Sequence, residues 1–299
     1  MNAFPSIVEV FRPMRINHNV VRFELPHLAT SVVPSRLFGG QTIAQTQLAV
    51  ELLYPGFHVL SVRNCFVSPG KTLVTNVFVT SVDLGNVKIP IDCVVDRIPG
   101  TPFLNVVLNQ GTKIMSTAKV KMGTAHDILN ATKYRMPEVE DPLSYPSMEE
   151  QVDQTPLTKN LVQWDVFDIR PIDFDTMVFK STEWKPFLAW CTVTETQRKQ
   201  KFPERSGNPL LSMFSDFWSV HSCKENYEMF VEKEGGYPVS LNHSVTFHTA
   251  ENLDPLAWYL VQTECNVHSD NRFLMNGQIF DQKGNCVLSF EQEGYRVEK

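Results

Sequence analysis

The chain has 299 residues, 42% of them hydrophobic and 20% charged, with a formal net charge of -6. That is enough apolar material for a real core, at a length that favours two units over one. It argues against a nucleic-acid binder, because no stripe of Lys and Arg is present to neutralise phosphates. Nor does any apolar run approach the ~20 residues of a membrane span. The start, Met1-Asn2-Ala3-Phe4-Pro5, lacks the charged end and apolar core of a secretory leader, so an intracellular protein is expected. Six cysteines are scattered singly, without a C-x-x-C pair or zinc-type spacing, and read as reduced thiols. Cys265 near His268 is the one arrangement that could make a nucleophile. The ending Val297-Glu298-Lys299 is not a Ser-Lys-Leu address; a cytoplasmic location is expected, with a peroxisomal one left open.

In chain order, Ile7 to Phe11 and Val20 to Leu25 alternate like strands, broken by Pro13 and Pro26. Thr42 to Leu53 lacks Gly and Pro and places Ile43, Ala44, Gln47, Leu48 and Leu52 at helical spacing, directly after Phe38-Gly39-Gly40-Gln41. Two glycines at the mouth of a helix leave its first amides open to a carbonyl or oxyanion, or else serve close helix packing; the sequence does not choose. Five strand-like runs follow: His58 to Val67, Thr72 to Val82, Val87 to Arg97, Pro102 to Asn109 and Lys113 to Val120. Turns at Pro69-Gly70, Asp83-Leu84-Gly85, Pro99-Gly100 and Asn109-Gln110-Gly111 separate them.

From 123 to 160 the chain turns acidic and Pro-rich, as a draped linker would be. The first pattern then returns. Val162 to Arg170 and Phe187 to Glu195 are strand-like, Asn208 to Val220 is helical and contains Ser215-Asp216-Phe217-Trp218, and strands follow at Val239 to His248, Ala257 to Cys265, Asn271 to Asp281 and Cys286 to Gln292. A duplicated helix-plus-meander is the predicted architecture, of the α+β class, with repeats at 1–122 and 161–299 joined by the linker 123–160. On the strand 241–248, alternation puts Asn242, Ser244, Thr246 and His248 on one face and His243, Val245 and Phe247 on the other. His248 then lies about 20 Å along from Asn242, and His243 faces away.

Phe38-Gly39-Gly40-Gln41 with Ala44-Gln45, Phe66 to Gly70, Val95-Asp96-Arg97, Ser215-Asp216-Phe217-Trp218, Leu241-Asn242-His243-Ser244 with Phe247-His248, Gly277 with Ile279-Phe280-Asp281, and Gln292-Glu293-Gly294 together resemble the type II acyl-CoA thioesterases, in register over nearly the whole chain. The resemblance implies a tandem double hotdog, each repeat a long helix wrapped by an antiparallel sheet. It implies hydrolysis of acyl thioesters, on coenzyme A or a carrier protein, with neither metal nor organic cofactor, and it leaves homo-oligomerisation open. The family's water-orienting trio of Asp, Thr or Ser, and Gln falls on Asn242, Asn266 and Gln292, the second anchored by Glu264 and Arg272. Phe38, Gly39, Gly40, Gln41 and Asp216 are the implied substrate-binding residues. Asn242 departs from the family's carboxylate, and a carboxamide can orient water but cannot take its proton. Two further departures are Leu60-Ser61-Val62-Arg63, where the family tends to carry His-Ser-x-His, and Ile98-Pro99-Gly100-Thr101-Pro102-Phe103, where it has Arg-Asp-Gly-Arg-Ser-Phe. A different reaction on a similar acyl substrate (dehydration, isomerisation or cyclisation of a polyketide-like intermediate) and non-catalytic acyl binding are the alternatives.

Overall fold

The computed structural model describes residues 6–24, 27–28, 37–69, 78–79, 89–151, 166–177, 185–217, 237–269 and 271–297. Most of the expected strand Thr72 to Val82, much of the linker's end and the helical residues 218–220 lie outside them. The first half supplies β1 (Met14–Arg15), β2 (Val20–Phe23), α1 (Gly39–Leu53), β3 (His58–Phe66), β4 (Ile91–Arg97), β5 (Phe103–Gln110) and β6 (Lys113–Gly123). The second supplies β7 (Phe167–Pro171), β8 (Phe187–Val193), α2 (Gly207–Phe217), β9 (Tyr237–Phe247), β10 (Tyr259–His268), β11 (Arg272–Asp281) and β12 (Cys286–Val297).

The strands form one antiparallel sheet in the order β1-β2-β4-β5-β6-β3-β9-β12-β11-β10-β8-β7. Counted outward from the β3–β9 junction, each half runs through its third, sixth, fifth, fourth, second and first strand. The duplication read from the returning helix-plus-strand pattern is therefore a duplication of topology. Equivalent hairpins even use equivalent turns: Gly111 after β5 and Gly284 after β11 hold φ of 63° and 85°, in the left-handed region where a side chain is strained.

Period-2 patterning drives the sheet to bury one face. On β4 and β5 the alternate residues Ile91, Cys93, Val95 and Leu104, Val106, Leu108 are buried. That face wraps the helices. Helix α1 is so enclosed that residues 40 to 50 are all buried, including Gln41, Thr42, Gln45, Thr46 and Gln47. α1 and α2 pack antiparallel, the start of one against the end of the other, with Ser212 Oγ donating to Gln47 Oε1 across the pair (3.2 Å). Gly40 permits the approach, since a Cβ there would lie 3.0 Å from the Met213 Cα.

Two expectations change. Ile7–Phe11 is a turn of 3-10 helix, not a strand: Ser6 Oγ accepts from the Val8 amide, and Ile7, Val8, Val10 and Phe11 are all buried, which an alternating strand could not achieve. The Ile7 amide donates to Gln197 Oε1 at 3.0 Å, fixing this turn to the second half. Helix α1 begins on Gly39 rather than Thr42, and Phe38 at its N-cap offers no side-chain cap.

Segment 129–145 lies on the outer face of the second half. Trp190 Nε1 donates to the Glu140 carbonyl (3.1 Å) and Arg170 to the Tyr145 carbonyl (2.9 Å). Met136, Val139 and Tyr145 pack on Trp190, Leu260 and Phe280. His248 is a further clamp, its Nδ1 facing the Leu129 carbonyl (2.7 Å) and its Nε2 facing Ser289 Oγ (2.9 Å). Burial lowers the His248 pKa from its ordinary value, with the Leu129 bond opposing. A histidine with a depressed folded pKa binds fewer protons folded than unfolded, so its contribution to stability is intact above about pH 6.5 and is lost as pH falls through the lowered native value. Limited proteolysis of segment 129–145 should accelerate between pH 7 and pH 5 in the wild type, and His248→Asn should remove that dependence. A second expectation concerns Gly277, where a Cβ would meet the Gln262 carbonyl oxygen at 2.1 Å and the Phe290 ring at 2.3 Å. Gly277→Ala should cost at least ~1–3 kcal/mol, read as a drop in Tm of several degrees.

Candidate active site

Helix α2 buries three polar side chains, Ser212, Ser215 and Asp216, among the equally buried Leu210, Leu211, Met213, Phe214 and Phe217. Buried polar groups need partners, and a buried carboxylate needs several. Asp216 has them. Its Oδ2 accepts from the Gly40 amide at 2.6 Å, and its Oδ1 accepts from Gln292 Nε2 at 2.6 Å. The same Gln292 nitrogen also donates to Ser240 Oγ. His243, fully buried, presents Nδ1 to Asp216 Oδ1 at 3.5 Å and Nε2 to Ser215 Oγ at 2.9 Å. Its ring stacks on Phe290, centroids 5.7 Å apart.

The bond from Ser215 to the Ser212 carbonyl favours one tautomer of His243. Ser215 spends its one O–H on the Ser212 carbonyl (2.9 Å), so its oxygen accepts from His243 and the ring carries its proton on Nε2. Nδ1 is then the basic nitrogen, and among the described residues it has no hydrogen-bond partner. A proton taken up there would lie beside the Asp216 carboxylate, whose Oδ1 is 3.5 Å away. An acid–base pair with a carboxamide at its side can orient a nucleophile and move its proton.

Ser215 and Phe290 also line an apolar crevice between α2 and the sheet, with Phe187, Phe214, Phe217 and Val261 among its walls. The cluster thus borders the polar end of a narrow apolar crevice with about 10 Å³ of open space, room for a water-sized group.

Of the expected site residues, the structure brings Gln292 and Asp216 together and sets Gly39, Gly40, Phe38 and Gln41 beside them at the start of α1. Gly39 is required there: a Cβ would lie 2.8 Å from Asp216 Oδ2 and 3.0 Å from the Phe66 ring. The open amide expected of the glycine pair is occupied at Gly40 by Asp216. Asn242 and Asn266 stand elsewhere. Asn242 Nδ2 donates to Glu293 Oε2 (2.8 Å) on the outer face, where Glu293 also binds Arg272. Asn266 is exposed and donates to Asn276 Oδ1 (3.0 Å). Their strands, β9 and β10, are separated by β12 and β11, about 14 Å across. The reason is a pair of β-bulges, one between Ser240 and Asn242 and one between Cys265 and Val267. The extra residue Leu241 lets Ser240 point inward to Gln292 while Asn242 points outward, so that His243, paired with Gln292, returns to the inner face. His243 does face away from Asn242, but toward the helices.

His243, Ser215 and Ser240 were not singled out as site residues from sequence. The available signal was the polar spacing Ser212, Ser215, Asp216 within an apolar helix, which demands a polar partner from the opposing sheet.

The fold is that of a double hotdog, an α+β architecture shared with solved structures over nearly the whole chain. Residues 197–295 match the acyl-CoA thioesterase family, which covers the whole inner-face cluster except Gly40. Acyl-CoA thioesterase 2 of Haemophilus influenzae is 33% identical over 85 residues, a match spanning 28% of this chain and 29% of that protein. The structure of acyl-CoA thioesterase II TesB2 from Mycobacterium marinum aligns with a TM-score of 0.69 at 18% identity, over 98% of this chain and 99% of that one. A hot dog fold protein from Alicyclobacillus acidocaldarius aligns at 0.68 and 16% identity, over 97% of each chain. The dehydratase domain from the CurJ module of curacin polyketide synthase aligns at 0.54 and 11% identity, over 96% of each.

Removing the carboxylate strands its donors. Asp216→Ala leaves the Gly40 amide, Gln292 Nε2 and His243 without it, and should lower stability by about 3–5 kcal/mol, measured as a loss in chemical denaturation.

Proposed function

We propose that the chain hydrolyses an acyl thioester, on coenzyme A or a carrier protein. The observation that carries this reading is the buried Asp216 carboxylate, held by Gln292 and Gly40 with His243 Nδ1 facing it, at the polar end of an apolar crevice. In this reading the acyl chain enters along the crevice, whose walls part from the about 10 Å³ now open, and the thioester carbonyl lies at its Ser215 end. Gln292 and Asp216 hold the attacking water. As the water oxygen bonds to the carbonyl carbon, its proton passes to His243 Nδ1, and Asp216 stabilises the imidazolium. The tetrahedral intermediate then expels the thiolate, breaking the C–S bond, and the thiolate takes the proton from His243. The products are the free acid and the thiol, and atoms and charge balance. The match to the family and the full-length likeness to a thioesterase structure support the same reading.

In this mechanism the carboxamide at Asn242 costs little, because the proton acceptor is His243 on the other face. A cytoplasmic location fits the reduced state of Cys65, Cys93, Cys191, Cys265 and Cys286, and among the described residues no helix is long and apolar enough to cross a membrane.

The buried His–Asp pair supports a second reading. Set against the α-carbon of an acyl thioester, it could move a proton without admitting water, giving dehydration or isomerisation. A dehydratase domain among the solved structures of this fold keeps that alternative in play.

A thiol-release assay over acyl-CoA and acyl-pantetheine chain lengths separates the two. Wild type should release thiol; Gln292→Ala and His243→Gln should reduce kcat by about 10²–10⁴-fold, and Asn242→Asp should change it less than about twofold. A gain of hydrolysis in Asn242→Asp over an inert wild type would reject the mechanism. Mass-spectrometric detection of a dehydrated or isomerised thioester would select the second reading.

A further inference from the structure

The proposed hydrolysis needs a donor for the carbonyl oxygen, and the helix amide best placed to serve, Gly40 N–H, already donates to Asp216. Another donor must take that part. Asn64 lies on β3, directly across the β3–β9 ladder from His243, which in turn lies directly across from Gln292. Directly opposed residues of antiparallel strands share a face at about 4.5–5.5 Å between Cβ atoms, so Asn64, His243 and Gln292 form one row beneath the helices. Asn64 is 1% exposed, yet among the described residues neither its Nδ2 nor its Oδ1 has a hydrogen-bond partner. Its neighbours in the row are engaged or poised for chemistry, and within the row this carboxamide is the idle one. From α1, which covers β3, Gln45 is equally buried and equally without partners. A buried amide without partners is costly to keep, and a ligand oxygen that satisfies it regains that cost on binding.

We infer that the Asn64 side-chain amide, supplied by the first half of the molecule, donates to the carbonyl oxygen of the bound acyl group beside His243. The site is then composite: proton transfer and the acyl crevice belong to the second half, carbonyl recognition to the first. A donor aimed where the oxyanion develops strengthens its bond in the transition state, so Asn64 acts mainly on kcat. The inference rests on the acyl-thioester reading above, and its test has an arm independent of turnover.

The variant is Asn64→Leu, close in shape and without polar atoms. Because it removes unpartnered groups, Tm should hold or rise, whereas a structural hydrogen-bonding role would lower it. In thiol release, kcat should fall by about 10²–10³-fold with KM little changed. The second arm measures calorimetric affinity for two inert CoA compounds: a ketone analogue with CH2 in place of the thioester sulfur, and an S-alkyl thioether lacking the carbonyl oxygen. Wild type should prefer the ketone by about tenfold or more, and Asn64→Leu should bind the two equally. Equal affinities in wild type, binding of neither, or a lowered Tm with unchanged kcat overturns the assignment. An inert wild type that still prefers the ketone would instead remove the hydrolase reading and leave the carbonyl site standing.

Discussion

The interaction on which the molecule turns is the carboxylate of Asp216 taken out of water and given to protein donors. Its two oxygens receive the first-turn amide of α1 and the side chain of Gln292, and His243 stands beside it. A buried charge tolerates such a position only when hydrogen bonds replace its hydration. The consequence is structural as well as chemical. The last turn of α2 is tied to the first turn of α1, so two repeats that could fold as separate units share one polar centre. Phe38 brings no capping side chain because the cap comes from the other half of the chain. Gly39 and Gly40 follow from the same contact: one leaves room for the carboxylate, the other for the backbone of α2.

That centre also decides which polar residues matter for chemistry. The inner face of the β3–β9–β12 region presents Asn64, His243 and Gln292 in one row, and the outer face presents Cys65, Asn242 and Glu293 in the next. The rows differ by one residue in sequence and by their surroundings. The inner one is enclosed and apolar at its margins, where electrostatic interactions are strong; the outer one meets solvent and is organised by the Arg272–Glu293 ion pair. Glu293 responds accordingly, its pKa lowered chiefly by the Arg272 bond. A change of Asp to Asn in the outer row alters a surface network; the same change in the inner row would remove the carboxylate that holds the helices.

The sequence was most legible where a single period governed the chain. The strand-like runs and the turns between them, such as Asn109-Gln110-Gly111, announced the repeats, and alternation on β4 and β5 matches the buried face. It was least legible where the period breaks. A bulge inserts one residue, and every side chain beyond it changes face; no composition marks Leu241 or Asn266 as the insertion. An unbroken alternation carried from Ser240 would have put Asn242 inside and His243 outside. The turn Ile7–Phe11 escaped for a related reason: five largely apolar residues are too few to separate a strand from a tight helix, and the deciding contact, Gln197, is 190 residues away. Gln292 was recognised from its motif alone, and Asp216 from lying in one; their contact needed the fold.

Duplication ought to have produced two equivalent sites, one at each end of the antiparallel helix pair, and the reason it has not lies in what covers the second helix start. At Gly207 a Cβ would lie 1.9 Å from the Leu253 carbonyl oxygen, and Asn208 Oδ1 accepts from the Leu253 amide (3.3 Å). The loop after β9 is therefore packed, backbone to backbone, onto the start of α2, where the start of α1 meets a carboxylate. The opposite helix end shows the same divergence. In the place that α2 gives to Asp216, the last turns of α1 give Glu51, whose carboxyl burial pushes up to about 7 and whose oxygen accepts from Gln47 of its own helix. No amide of the facing helix reaches it in any bond among the described residues. One end of the pair kept the glycine, the carboxylate and the opposing carboxamide in contact. The other packed the Leu253 backbone onto its helix start instead.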